Sequence, residues 1–367
     1  MINDCCALPK KKRGICARRV FKAQNMQGTV HLFDQLPEVE QSAPSVAGKV
    51  PAPMRAVPLV GVIRNQRSHR NAQARPEWSG KATLLVEVPA KRSELDGILR
   101  RFAEAAVDLI VIDGGDGTVR DVLTCGSGVF GESWPPLVVL PSGKTNALAI
   151  DLRLGQDWSI ERALESVRAG QFAERRPMVI AMRDNPGARV QGFVFGAGVF
   201  TASISLGQTA HKRGAFNAAA VAVTTVGTVF QALVGSRDNI WRRGTRMRLR
   251  DAQGALVPHS GHGSTDERYF LFGSTLERLP AGLKPFRGIR ERLRFLVMDN
   301  SNLSLVLRML SVPFGWIGAG AARAGLHRIG CDELELELDG NFILDGEAFP
   351  PGAYRISLGP QLRFVVP

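Results

Sequence analysis

The chain has 367 residues, 44% of them hydrophobic, enough for well-packed cores and suggestive of two domains. Its 47 Lys and Arg against 34 Asp and Glu leave a net charge of +13, so charge allows nucleic acid or an anionic membrane as partner without choosing between them. The 5 cysteines, an odd number with no CxxC pair, argue against a disulfide scaffold or a zinc site and fit a reducing compartment.

Residues 1–56 mix a basic run with Gln, Ser, Pro and Gly, show no sustained period, and read as a disordered basic tail. Lys10, Lys11, Lys12, Arg13, Arg18, Arg19 and Lys22 stand there against Asp4, about half of the net charge. The Pro9–Arg13 run is a solvated tail, a localisation signal or a membrane-attracted patch. No apolar core follows it, so no secretory signal is expected. The longest weakly polar stretch, Ala215–Gly235, is interrupted by Asn217, Thr224, Thr225, Thr228 and Gln231. It reads as a buried or lipid-facing helix rather than a membrane span.

Strands alternate with helices over residues 57–175. Pro58–Ile63 and Thr83–Val88 are strands, and Ser93–Ala106 is an amphipathic helix with Leu95, Ile98, Leu99, Phe102 and Ala106 on one stripe. Leu109–Ile112 is a continuous apolar run, as a strand buried on both faces requires. A helix with Val119, Val122 and Leu123 on its inner face follows. Leu137–Leu140 is the next strand, and Ala147–Leu152 and Trp158–Ala169 are helices. This order predicts an α/β domain built on a mainly parallel sheet, with ligands at the carboxyl ends of its strands.

After Arg176 the pattern changes to strands: Met178–Met182, Gly192–Phe195, Thr245–Arg250, Tyr269–Thr275 and Arg292–Val297. Glu333–Asp339 alternates strictly, with Leu334, Leu336 and Leu338 inward and Glu335 and Glu337 outward. Gly207–Gly235 and Ser304–Leu326 interrupt with helical or loop-like apolar segments. A second, β-rich antiparallel domain is expected over residues 176–345, with 346–367 as terminal strands.

Three turns on the carboxyl edge of the parallel sheet carry chemistry. Asn65-Gln66-Arg67-Ser68 follows the first strand and is either a phosphate contact or an ordinary solvated turn. Gly114-Gly115-Asp116-Gly117-Thr118 joins a strand to a helix. Its glycines let backbone N–H groups approach an anion, and the helix N-terminus adds a positive dipole end. Asp116 shares the sign of a phosphate, so its expected task is to hold Mg²⁺, directly or through water, or to orient a hydroxyl. Pro141-Ser142-Gly143-Lys144-Thr145-Asn146 is the third such turn. It is not a P-loop, because Val138 stands where that motif needs glycine. Near the end, Asp345-Gly346-Glu347 reads as a hairpin turn or as two carboxylates brought to one point for a hydroxyl proton or a metal. His259 and His262 read as a surface loop rather than a metal site.

Together Gly114–Thr118, Leu140–Gly143 followed by Asn146, and the late Asp345-Gly346-Glu347 resemble the diacylglycerol kinase catalytic family, which includes bacterial lipid kinases and sphingosine and ceramide kinases. The resemblance covers about residues 58–367. It implies a Rossmann-like, ATP-binding α/β domain over 57–175, a β-sandwich-like lipid-binding domain over 176–345, a cleft between them, and terminal strands over 346–367 that return to the first domain.

ATP and Mg²⁺ are the implied cofactors. The implied nucleotide-binding residues are Asn65, Gln66, Arg67, Ser68, Gly114, Gly115, Asp116, Gly117, Thr118, Ser142, Gly143, Lys144, Thr145 and Asn146. The catalytic ones are Asp345 as base, Glu347 in support and Asp116 at the metal, the roles of Asp345 and Asp116 being exchanged in related sphingosine kinases. Gln66 and His69 replace the proline and glycine of the family's first loop, and Lys144 stands in place of a small hydroxyl residue. Ala147 replaces the aspartate usual in diacylglycerol kinases and looks more like the sphingoid-kinase form.

The expected reaction is phosphorylation of a membrane lipid, diacylglycerol first, with ceramide or a sphingoid base as the alternative. An NAD kinase-like enzyme and an inactive lipid-binding homologue are further alternatives. Implied partners are the lipid substrate and, for a cytoplasmic protein, the anionic inner face of the membrane, with Lys212, Arg213, Arg237, Arg242, Arg243, Arg287 and Arg290 as contacts. A homodimer is compatible with this reading, and nucleic acid is not a partner in it.

Overall fold

The computed structural model describes residues 36–40, 55–66, 68, 82–143, 145–199, 201, 244–260, 263–300, 305, 308, 311–315, 317, 318 and 320–367. The predictions on Pro9–Arg13, Arg67, Lys144, His262, Gly207–Gly235 and on Lys212, Arg213, Arg237, Arg242 and Arg243 lie outside these residues.

The apolar run at 109–112 becomes β3 (Leu109–Gly114), buried along its whole length. It lies between β1 (Leu59–Arg64) and β4 (Leu137–Pro141), with β2 (Thr83–Glu87) beyond β1, and all four run parallel. Alternation in β3 sends Leu109 and Val111 to one side and Ile110 and Ile112 to the other. The first side packs under α4 (Ile160–Arg168) through Trp158, Ile160, Ala163 and Leu164. The second is covered by α1 (Leu95–Glu104), α2 (Asp116–Phe130) and α3 (Ala147–Asp151). The α1 stripe holds for Leu95, Ile98, Leu99 and Phe102, which are buried, but a 3₁₀ turn at Arg92–Glu94 takes the place of the first residues, and Ala106 lies past the helix end, exposed at φ 49°.

Two strands complete this sheet in the order β2-β1-β3-β4-β18-β5. β18 (Leu362–Val365) pairs parallel with β4, and β5 (Phe172–Arg175) closes the edge antiparallel to β18. The C-terminal residues are thus built into the N-terminal sheet. Of the strands after 346, β18 alone joins it.

The remaining strands form two antiparallel six-stranded sheets. One has the order β10-β9-β14-β17-β6-β7, from β6 (Met178–Met182), β7 (Arg189–Gly192), β9 (Thr245–Asp251), β10 (Glu267–Arg268), β14 (Glu333–Leu338) and β17 (Gly352–Leu358). The other has the order β13-β12-β11-β8-β15-β16, from β8 (Val194–Gly198), β11 (Phe270–Ser274), β12 (Leu293–Met298), β13 (Leu326–Cys331), β15 (Phe342–Leu344) and β16 (Glu347–Phe349). Their facing sides share one core, to which β14 contributes Leu334, Leu336 and Leu338 as its alternation predicts. The strand expected at Gly192–Phe195 is two strands, because the chain leaves one sheet and enters the other at Phe193.

Residues 36–40 correct the reading of 1–56 as wholly disordered. Leu36 and Val39 are buried, Val39 N donates to Gly187 O at 2.9 Å, and Arg189 N donates to Pro37 O at 3.1 Å. Two apolar residues in a polar, proline-containing stretch are too few to leave a period. Among the described residues, no helix is long and apolar enough to cross a membrane.

Candidate active site between the two lobes

The three glycine- and serine-bearing turns meet at the carboxyl ends of β1, β3 and β4. Asn65 N donates to Asp113 O at 2.9 Å, and Asn65 Nδ2 donates to Thr118 Oγ1 at 2.8 Å, tying the first turn to the second. Ser142 N donates to Gly114 O at 3.2 Å, tying the third to the second. A methyl built on Gly143 would lie 2.5 Å from the Gly115 Cα, so the two glycines press backbone on backbone. Neither position admits a larger residue.

Several side chains predicted to face a nucleotide also shape these turns. Asn146 has φ 50°. Its Oδ1 accepts from Gly143 N at 3.0 Å and its Nδ2 donates to Gly143 O at 2.8 Å, closing the turn on itself. Ser142 Oγ donates to the buried Asp113 at 2.5 Å. Ser68 is buried, and its N donates to Asn65 O at 3.1 Å. Gln66 lies in that turn and Thr145 is exposed. Among the described residues, the backbone N–H groups suited to an anion are those at the very start of α2, around Gly115–Gly117, since Gly143 N is held by Asn146 Oδ1 and Thr118 N and Val119 N by Gly115 O.

Asp116 has a task that the sequence did not reveal. Its carboxylate accepts from Ala147 N at 3.0 Å and Leu148 N at 3.3 Å, capping α3. Burial pushes its carboxyl up, against the N–H groups of Ala147, Leu148 and Asn146 and the charge of Arg120, which pull it down. Among the described residues, no three His, Cys, Asp or Glu side chains gather as a metal site.

The last hairpin arrives at the same place from the other lobe. Asp345 and Gly346 have φ 46° and 82°, which makes the two-residue connection between β15 and β16 a type I′ turn. The hairpin reading and the carboxylate reading are compatible here. Asp345 Oδ1 accepts from Val194 N at 2.9 Å, and its Oδ2 accepts from Phe193 N at 3.0 Å, where the chain changes sheets. Burial, with the like charge of Asp116, pushes the Asp345 carboxyl up to about 7, against the pull of Arg120 and of the Phe193 and Val194 N–H groups.

Glu347 does not converge with Asp345 on one point. It pairs with Arg120 of α2 and, at 3.1 Å, with Arg92, while Asp121 lies 2.6 Å from Arg92 and 2.9 Å from Arg120. Arg120 NH1 also donates to Leu344 O at 3.2 Å. Sequence reading missed Arg92, Arg120 and Asp121. The signal for Arg120 was its place four residues after Asp116, on the same helix face. Asp151 was missed too; it is fully buried, 2.5 Å from Arg175 Nε, and accepts from Arg278 N at 2.6 Å.

The site is thus a glycine-lined backbone cradle on the parallel sheet, faced by a carboxyl group of raised pKa from the β-rich lobe. Residues 64–178 match the family model described as diacylglycerol kinase catalytic domain. Two solved structures from Bacillus anthracis str. Sterne share the fold: a "putative diacylglycerol kinase" at TM-score 0.58 and 15% identity, covering 84% of this chain and 96% of that one, and a diacylglycerol kinase at TM-score 0.55 and 15% identity, with the same coverage. No curated protein matches the chain.

Proposed function

Residues 64–178 being a match to the diacylglycerol kinase catalytic domain, we propose that this chain is an ATP-dependent lipid kinase that transfers the γ-phosphoryl group to a hydroxyl of a membrane lipid, diacylglycerol first, giving phosphatidic acid. The observation that carries the reading is the approach of Asp345, from the β-rich lobe, to the turn holding Asp116 and its glycines, close enough for the two charges to act on each other. A carboxyl group and an anion cradle on opposite lobes are what in-line phosphoryl transfer asks of a protein.

The cradle fits a polyphosphate. Gly114, Gly115 and Gly143 leave no room for a Cβ, and the N–H groups at the start of α2 are what this cradle offers an anion. The residues also fit Mg²⁺, which is held through one or two carboxylates and the substrate's own phosphates rather than by an all-protein cage. Asp116 would supply that carboxylate while capping α3. When bound, the metal neutralises charge on the phosphate oxygens.

Asp345 accepts the proton of the lipid hydroxyl as its oxygen attacks the γ-phosphorus and ADP leaves. The Phe193 and Val194 N–H groups orient that carboxylate, and a pKa of about 7 keeps a useful share ionised near neutrality. Glu347, spent on Arg120 and Arg92, holds the hairpin in place. We place the protein at the cytoplasmic face of an anionic membrane. Ala147, standing in place of the aspartate usual in diacylglycerol kinases, keeps ceramide or a sphingoid base as the second reading.

The test is labelled ATP offered with diacylglycerol, ceramide, a sphingoid base and NAD⁺. Transfer to one lipid, lost in Asp345→Asn and Asp116→Asn, is the expected result. Transfer to NAD⁺ alone, or to nothing, overturns the proposal.

A further inference from the structure

Two loops outside the cleft combine features that the mechanism does not use. The segment after β11 turns at Pro280–Gly282, and a second 3₁₀ turn forms at Val312–Phe314. They are joined: Lys284 N donates to Pro313 O at 2.7 Å, and a methyl on Gly315 would lie 2.8 Å from both Arg287 Cβ and Lys284 O. Beneath them the fit is tight. Phe286 and Val312 are buried, and Phe286 stacks on Phe272 at 5.5 Å with rings 6° apart.

On this fixed base Leu283 is 41% exposed and Phe314 59% exposed. Lys284 and Arg287 are exposed on the joined loops, Arg328 reaches back to donate to Arg287 O at 2.6 Å, and Arg290 and Arg323 are exposed shortly after each loop in the chain. The sequence has no Asp or Glu at 279–290 or at 300–331. Apolar tips in a mainly basic setting, with Glu291 as an exposed acid at its edge, are costly in water and suit the boundary of an anionic bilayer, where rings and stems enter the acyl edge and cations meet phosphate. The place in the fold agrees. The first loop leaves β11 at Ser274, which pairs with Val194, the residue that holds Asp345, and Arg278 ties it to Asp151 of α3.

We propose that the joined 280–287 and 312–315 loops seat this chain on anionic bilayers, Leu283 and Phe314 inserting while Lys284, Arg287, Arg290 and Arg323 contact lipid phosphates. The choice of a bilayer over an acidic protein rests on the lipid-kinase reading above, whereas the patch does not.

The experiment is co-sedimentation of the full chain, without ATP, with vesicles of phosphatidylcholine alone or mixed with phosphatidylglycerol. Binding is expected to the mixed vesicles, weakened by salt. Leu283→Ser with Phe314→Ser should weaken it about tenfold. Arg287→Glu with Arg290→Glu should weaken it roughly thirtyfold or more, from about fivefold for each cation removed. All four positions are exposed, so circular dichroism melts should not move. Phosphorylation of a short-chain, dissolved diacylglycerol should be unchanged. Equal binding by both double variants, equal binding to neutral vesicles, or binding of polyglutamate that depends on the same residues while vesicles are ignored would each overturn the proposal. Inactivity of the wild type on every lipid would instead strike the kinase reading and leave the vesicle result standing.

Discussion

Arg120 on α2 and Glu347 on the last hairpin form a buried ion pair that joins the two lobes beside Asp345. The same guanidinium donates to Leu344 O, one residue before Asp345, so it fixes the hairpin's position as well as its charge. Its positive charge is one of the influences that hold the Asp345 carboxyl down. Arg120→Gln therefore removes a downward pull, and the acid limb of the kcat/KM profile for lipid phosphorylation should shift to higher pH. The variant also leaves Glu347 with Arg92 alone and should lose roughly 2–4 kcal/mol of stability. Arg120→Lys restores charge without the planar fork and should recover the pH profile better than the stability. An unmoved profile in Arg120→Gln would show that this cation does not act on the base.

Asp345→Asn separates chemistry from folding. Asn tolerates φ 46°, so the I′ turn survives. A carboxyl raised to about 7 from its ordinary 3.8 binds more protons folded than unfolded between those values. Its contribution to stability is present below 3.8 and is lost as pH rises through 7. At pH 8 the variant should melt no lower than the wild type, and its relative advantage should shrink as the pH approaches 4. Activity should fall by about a thousandfold or more, from loss of the proton acceptor and its charge. A melting point well below wild type at pH 8 would contradict this balance.

What the sequence made legible was local. The apolar run before Gly114 could only be a strand buried on both faces, and the 333–338 alternation could only face one core. The Asp345-Gly346 pair pointed to a hairpin by its own turn chemistry. What was not legible depended on contacts far apart in the chain. Arg120 looked like one polar residue on a helix, and nothing nearby announced that Glu347 would cover it. Asp116 drew a metal-binding interpretation because it shares the sign of a phosphate, and its cap on α3 went unseen because its partners Ala147 and Leu148 come from the next strand–helix unit. The placement of residues 36–40 depends on Pro37 and Val39 bonding to Arg189 and Gly187, a pairing that no period encodes.

A second buried carboxylate governs acid stability away from the cleft. Asp299 accepts from His327 Nε2 at 2.9 Å and Ser260 N at 2.7 Å and pairs with Arg268. Burial alone would raise its pKa, but these donors outweigh it and hold the carboxyl at about 2. A depressed acid stabilises the fold above the unfolded value of 3.8, and that stability is lost as pH falls from there to about 2. The contribution at neutral pH is of the order of 2–3 kcal/mol. Acid titration followed by tryptophan fluorescence should show Asp299→Asn destabilised at pH 7 and converging with wild type near pH 2. A constant difference across that range would remove Asp299 from the acid transition.

Gly192 tests whether the Asp345 carboxylate must sit where it does. A methyl built there would lie 2.4 Å from Asp345 Oδ2 and 2.7 Å from Leu344 Cγ, so either the carboxylate or the hairpin has to move. The glycine turns that would seat ATP are on the other lobe and feel no such clash. Gly192→Ala should therefore lower kcat by about ten- to a hundredfold, since a displacement near 1 Å suffices for that, and leave KM for ATP unchanged. Gly97→Ala is the control. In the interior of α1 its added methyl meets only Arg101, at 3.8 Å, so stability should rise by about 0.5–1 kcal/mol with activity intact. If Gly192→Ala turns over at the wild-type rate, the proton of the lipid hydroxyl goes to some group other than Asp345.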